Sequence, residues 1–497
     1  MQDSVIAGAN SKYTGAPGIG WGVLYTGIAL CGLQGKMWSI LRREVHVADP
    51  SVSTSSGPLR SKQQYWHYAW LIAVMAAVLQ VSTNFVSQAF AVLLPVIQNT
   101  FGWSLTAITL AYFFKSLIQA CLSPVAGMLG DRYGARRFLL VGACFHVAGL
   151  LLLSTVTEVW QLYLYFSLVL GVAQAMFQVN IPTTVAAWFR KKLGVATGLQ
   201  QSLGGMGASI MAPVLALLLG HTAWKPAFWI ITVVGGAVIF GLLFFFHSDP
   251  ESKGARPYGA DGGERPAPAR ANPVTAKVRS QVFMRHVRRT KAFWNLMAIH
   301  HLGCLGHAII MVSAVHFAET KGVPLAAAAW IVSIYSLASV GGRFCVPILA
   351  DRFGAKGVMA LFFFLQGISV LMLFWAQEAW QFYLFAFAFG TGLGGEMSAF
   401  IVINRQYFGT GPVRTVFGFQ SMGAQSGMAV GGLMGSVIFD LFGSYNLAWM
   451  LSIGASLAGV VCILLLEPTS RMLVPHWEED LPPEARSKPV PAAAGAD

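Results

Sequence analysis

Arg343 is the one charged residue in the apolar run 326–349, and it is the side chain there best suited to chemistry. Tyr335, Ser336, Ser339 and Arg343 recur at spacings of four and seven, which places them on one face of a helix. A charge held at mid-bilayer costs about 2.5–3.5 kcal/mol on insertion scales, so it needs a reason to be there. Guanidinium is permanently charged and presents a planar fork that matches a carboxylate. A polar stripe of this kind faces a water-filled cavity; the competing reading is that Arg343 snorkels toward headgroups. Lys115 shares a helical face with Tyr112 and Gln119 and would add a second positive charge. Glu396, inside "GTGLGGEMS", is the candidate protonatable carboxylate, with a fixed salt bridge to Lys115 or Arg343 as the alternative. His300 and His307 stand seven apart in "HHLGCLGHAIIMVSAVHF" and suit proton relay or substrate hydrogen bonding, whereas His301 and His316 are off that face. The alternative for each is a bond to a neighbouring helix. His146 reads as structural, and Gln174, Gln178 and Asn180 are candidates to line a cavity.

Holding such residues requires helices, and the composition says in what solvent. The chain has 497 residues, 55% hydrophobic and 11% charged, with a mean hydropathy of +0.60. A soluble chain of this size carries about a quarter charged residues. Long apolar runs alternate with short polar punctuation, and about twelve are long enough to cross ~30 Å of hydrocarbon as helices. They are read at 68–97, 104–129, 138–156, 160–185, 193–219 and 224–246, then 292–318, 326–349, 357–376, 380–403, 413–440 and 446–466. The expected organisation is an N-terminal segment 1–67, a six-helix bundle 68–246, a linker 247–291, a second bundle 292–466 and a tail 467–497.

The net charge of +13 follows the membrane and excludes a nucleic-acid partner. If the first segment is cytoplasmic and spans alternate, the inner segments hold "LRREV", "DRYGARR", "FRKKLG", stretch 248–291, "DRFGAK", Arg414 and the tail. The outer loops hold Lys225 and Lys321. This bias predicts an integral plasma (inner) membrane protein with both termini cytoplasmic. The linker's "GARPYGADGGERPAPARANP" reads as flexible, the "RHVRR" after it as suited to anionic headgroups, and the tail beyond Ser470 as unstructured. The apolar stretch 16–33 reads as a leader or as sequence upstream of a start at Met37. Six cysteines stand singly, without a CxxC or Cys/His spacing that would mark a metal site. No metal or other cofactor is expected. Nucleotide-binding and nucleophile motifs are likewise missing, which argues against an enzyme or an ATP-driven pump.

"LGDRYGARRF" at 129–138 returns as "LADRFGAKGV" at 349–358, an offset of 220 positions. At the same offset "EVWQLYLYF" lies on "EAWQFYLFA", Gly198 on Gly418, Gln200 on Gln420 and Trp229 on Trp449. An even number of spans separates the copies, so the repeat is parallel. The predicted fold is all-α: twelve transmembrane helices in two parallel, pseudo-symmetric six-helix bundles, with a site between them.

The twice-repeated D-R-x-G loop after the second helix of each half resembles the signature of the major facilitator superfamily, over about Tyr68 to Leu466. The resemblance implies that Asp131, Arg132, Gly134, Arg136, Asp351, Arg352 and Gly354 belong to a cytoplasmic gate, with Arg137 in the first cluster; a positive-inside anchor is the alternative. "FGWSLTAITLAY", "GGRFCVPILADRFG" and "IFDLFGSY" look like the monocarboxylate-porter and oxalate–formate-antiporter branch. In that branch the arginine matching Arg343 binds the substrate carboxylate. The chain departs from it at Ser339, where porters have Asp, and at Gln88, where they have Lys. It also lacks a lysine between Thr415 and Phe439.

The expected function is secondary active transport of a small organic anion, a monocarboxylate, by alternating access. A proton or counter-anion would reset the cycle, in a monomer embedded in lipid. The substrate set is Arg343, Lys115, His307, Tyr335, Ser339, Gln88 and Gln178; the proton-coupling set is Glu396, His307 and His300. Two rivals are an exporter of apolar or cationic compounds and a membrane sensor that moves nothing.

Overall fold

The computed structural model describes residues 67–88, 97, 100–222, 224–260 and 273–486. Expectations for residues 1–66, including stretch 16–33 and Met37, lie outside the described residues, as do the end of the first span and the side chain of Gln88. In the first half the helices are α1 (Tyr68–Gln88), α2 (Leu105–Tyr133), α3 (Ala135–Leu153), α4 (Val159–Trp188), α5 (Leu193–His221) and α6 (Trp224–Phe245). In the second they are α7 (Lys291–Thr320), α8 (Leu325–Phe353), α9 (Ala355–Phe374), α10 (Ala379–Phe408), α11 (Val413–Phe442) and α12 (Asn446–Leu464). Among the described residues ten of these are long and apolar enough to cross a membrane; α1 and α5 fill the first and fifth places. The outer surface stays greasy: Phe244 is 70% and Leu441 71% exposed, which lipid tolerates and water would not.

The repeat is visible in local chemistry. Helices α4 and α10 begin with the same capping box, in which the backbone N–H of Glu158 donates to Gln161 Oε1 (3.2 Å) and that of Glu378 to Gln381 Oε1 (3.0 Å). Tyr163 Oη donates to Ala107 O at 3.1 Å, and Tyr383 Oη to Ala327 O at 3.0 Å. Gly134 and Gly354 end α2 and α8 with φ of 86° and 90°, a turn that a Cβ would strain. Packing repeats as well: α1 on α5 and α7 on α11, α2 on α4 and α8 on α10, α3 on α6 and α9 on α12.

The halves join where α2 lies on α11 and α5 on α8. A Cβ on Gly418 would come within 2.6 Å of Ser123 O, and one on Gly198 within 2.7 Å of Phe344 O. The missing side chains let the backbones touch, as membrane helix pairs require in the absence of a hydrophobic drive.

Two expectations change. The 247–291 segment is ordered at both ends. Tyr258 pairs with the end of α4, its N–H donating to Trp188 O (2.8 Å) while its carbonyl accepts from Arg190 N (2.9 Å). A connecting helix spans Pro273–Val287. Residues 470–486 are packed as well: Val474, Trp477, Leu481 and Ala485 are buried, with Phe283 edge-on to Trp477 and Arg279 paired to Glu478 at 2.5 Å. Polar composition hid this, because only a few spaced apolar residues carry the packing. The repeat is also broken inside α4, where Tyr163–Val169 is π-helical, and inside α10, which breaks at Ala399.

Candidate functional site

Arg343 points across the interface and not toward lipid. A Cβ on Gly205 of α5 would stand 3.1 Å from Arg343 Cδ and Nη1, so the guanidinium lies against the opposite half. Its Nε is buried without a hydrogen-bond partner among the described residues. Glu396 of α10 acts on it electrostatically, and no ion pair joins the two among the described residues. On the same face of α8, Ser339 returns its hydroxyl to Ser336 O (2.8 Å), and Tyr335 is buried edge-on to Phe389. Glycines 390 and 394 let α10 press on the backbone of Tyr335 and Ser339, which holds that face rigid.

Glu396 is fully buried. Its Oε2 lies 3.0 Å from His307 Nδ1, while Oε1 rests against Gly303 without a partner among the described residues. Of the two expected histidines, His307 therefore meets the carboxylate. His300 is instead stacked on Phe400 (3.9 Å between centroids), with both ring nitrogens unpartnered among the described residues. His301 bonds Ser426 and His316 bonds Tyr445, while buried His146 packs edge-on to Phe177.

Lys115 is buried in the other half, its Nζ 5.4 Å from the Tyr112 ring and 5.6 Å from Phe166. The fold thus does not join Lys115 to Glu396; aromatic faces hold it. Gln178 accepts from Gln119 Nε2 at 3.4 Å, and Gln174 donates to Asn84.

At the D-R-x-G end, Asp131 reaches the N-terminus of α11. Its Oδ2 accepts from Thr415 N (2.9 Å) and Thr415 Oγ1 (2.7 Å), and Arg414 Nη1 is 3.8 Å from Oδ1. Arg414 is shared with Asp249 at 2.8 Å. Asp351 reaches α5 the same way, accepting from Gly194 N at 3.3 Å. Sequence reasoning gave Asp131 the motif's own arginines and missed Arg414 and Thr415. Arg136 instead caps α6, donating to Leu243 O (3.0 Å) and Phe244 O (2.9 Å), while Arg132 and Arg352 lie over Tyr133 and Phe353. A cavity of about 640 Å³ opens beside this latch, lined by Arg132, Arg190, Arg279 and Arg405.

Sequence and structure comparisons agree with the fold. The model of the Major Facilitator Superfamily matches residues 75–309 and 296–494. The chain is 25% identical over 440 residues to the oxalate:formate antiporter of Oxalobacter formigenes, covering 87% of this chain and 99% of that one. It is 21% identical over 423 residues to human monocarboxylate transporter 2, covering 80% and 85%. Its fold matches the human organic anion transporter MFSD10 with a TM-score of 0.63 at 12% identity, over 80% of this chain and 100% of that one. Two parallel six-helix halves, a D-R-x-G latch in each and a family match across both place the chain in one group: it belongs to the Major Facilitator Superfamily.

Proposed function

We propose that the protein is a secondary transporter of a small organic anion, bound at Arg343 and moved by alternating access. The observation that carries this reading is a guanidinium lying against the opposite half with its Nε unpartnered. An unpaired buried donor on a permanent cation is costly, and a carboxylate supplies the missing acceptor together with the countercharge. The relatives' names, oxalate:formate antiporter and monocarboxylate transporter, support the cargo class. Binding biases a gate only through different contacts in its two states. Arg343 meets that need, because part of its surroundings belongs to α5 of the other half and changes as the halves move. A proton or a counter-anion completes the cycle. The basic D-R-x-G end is assigned to the cytoplasm, in the plasma membrane.

A cationic cargo would need Glu396 as its partner. Glu396 is fully buried, held by His307 and covered by Gly303, which disfavours that reading. The test is uptake of labelled oxalate, formate and lactate into proteoliposomes, with and without a pH gradient and with each anion inside as counter-substrate. Arg343→Ala should lower uptake at least tenfold, and Arg343→Lys should recover part of it. Uptake unchanged in Arg343→Ala would remove the anion site.

A further inference from the structure

Cys304, His307 and Glu396 converge inside the second half. One ligating atom from each lies within 4.8 Å of the other two, and all three side chains are buried. Cys304 and His307 are three apart, a Cys/His spacing that the reading of six single cysteines passed over, and share a face of α7, while Glu396 meets them from α10. Two thioethers adjoin the group: Met428 Sδ is 3.0 Å from His307 Nε2, and Met397 Sδ is 3.9 Å from Cys304 Sγ.

The hydrogen inventory leaves a gap. A thioether sulfur accepts and does not donate, so the hydrogen between His307 and Met428 sits on Nε2. Nδ1 then faces Glu396 Oε2 at 3.0 Å. A bare nitrogen lone pair and a carboxylate oxygen repel at that distance, so something positive belongs between them. A proton is one occupant and a metal ion the other. A metal ion would also engage Cys304 Sγ, whose hydrogen otherwise goes to Met397 Sδ at 3.9 Å.

We propose that Cys304, His307 and Glu396 form a binding site for a divalent transition-metal ion of the zinc class. Zinc takes sulfur, nitrogen and carboxylate oxygen at about 2.0–2.3 Å and keeps a fourth position open where three protein groups bind it. The three donor atoms already lie within 4.8 Å of one another, and the 3.0 Å His307–Glu396 separation is close to one edge of such a polyhedron. Charge selects the valence. A thiolate and a carboxylate balance a dication, so the filled site is neutral in a medium where net charge is expensive; a monovalent ion would leave one negative charge buried. Met428 holds the Nε2 hydrogen and so aims Nδ1 at the ion, as an outer partner does for a ligating histidine.

Cys304 separates this site from anion transport, because it stands outside the substrate and proton-coupling sets to which His307 and Glu396 belong. The test uses the full chain in detergent, stripped with chelator and titrated with Co²⁺. One equivalent should bind, with a near-ultraviolet thiolate-to-cobalt band and intense visible bands of a four-coordinate ion, and Zn²⁺ should displace it. Cys304→Ser should lose the near-ultraviolet band and weaken binding at least tenfold while unfolding at the apo protein's temperature and keeping its uptake. Should the serine variant misfold, Cys304→Ala serves in its place. No stoichiometric binding, as for a gap filled by a proton alone, overturns the proposal. So does binding that is unchanged in both Cys304→Ser and Glu396→Gln.

Discussion

Asp131 and Asp351 hold the same place in the two copies of the repeat and end in different company. The Asp131 side chain is 3% exposed and reaches a backbone N–H, a hydroxyl and a guanidinium. Asp351 is exposed and accepts from Gly194 N. The cause lies across the interface. The residues of α11 that face Asp131 are Arg414 and Thr415; their counterparts on α5, 220 positions earlier, are Gly194 and Val195. One motif therefore makes a strong latch between α2 and α11 and a weak one between α8 and α5.

The largest effect should come from Asp131→Asn. It leaves the buried Arg414 with Asp249 alone, and breaking a buried pair costs about 3 kcal/mol. Thermal unfolding in detergent should drop by several degrees, and an unchanged melting temperature would remove the contrast between the seams. Thr415→Val comes next, at about 1 kcal/mol, since the hydroxyl is lost while the backbone donor stays. Tyr163→Phe and Tyr383→Phe should each cost about 0.5–1 kcal/mol and match one another, because their bonds to Ala107 O and Ala327 O are equivalent. A clear inequality between them would show that the halves differ in packing as well as at the latch. Asp351→Asn should do least, under about 0.5 kcal/mol, because the amide oxygen can still accept from Gly194 and the site is exposed. A melting shift as large as that of Asp131→Asn would make the seams equal.

Helix order, the parallel repeat and the turns at Gly134 and Gly354 were readable because each is written locally: as apolar length, as a 220-residue echo, as glycine where φ is positive. Arg343 and Glu396 were readable because charge inside an apolar run is conspicuous. Their partners were not. Arg414 stood among basic residues that topology alone explained, and Lys115 turned out to be held by rings and not by Glu396. Residues 470–486 looked too polar to pack, yet a few apolar side chains settle them on the connecting helix.

What the amino-acid order determined by itself is a membrane-spanning, twice-built chain with one conspicuous cation in its second half, since hydropathy and periodicity are properties of neighbours in sequence. Only the folded chain decided that Asp131 binds Arg414 and Thr415, that Arg343 lies on α5, and that Cys304 stands beside His307 and Glu396. Those contacts join residues up to 284 positions apart. They depend on how helices cross and rotate, which backbone contact at small residues sets and no local pattern records.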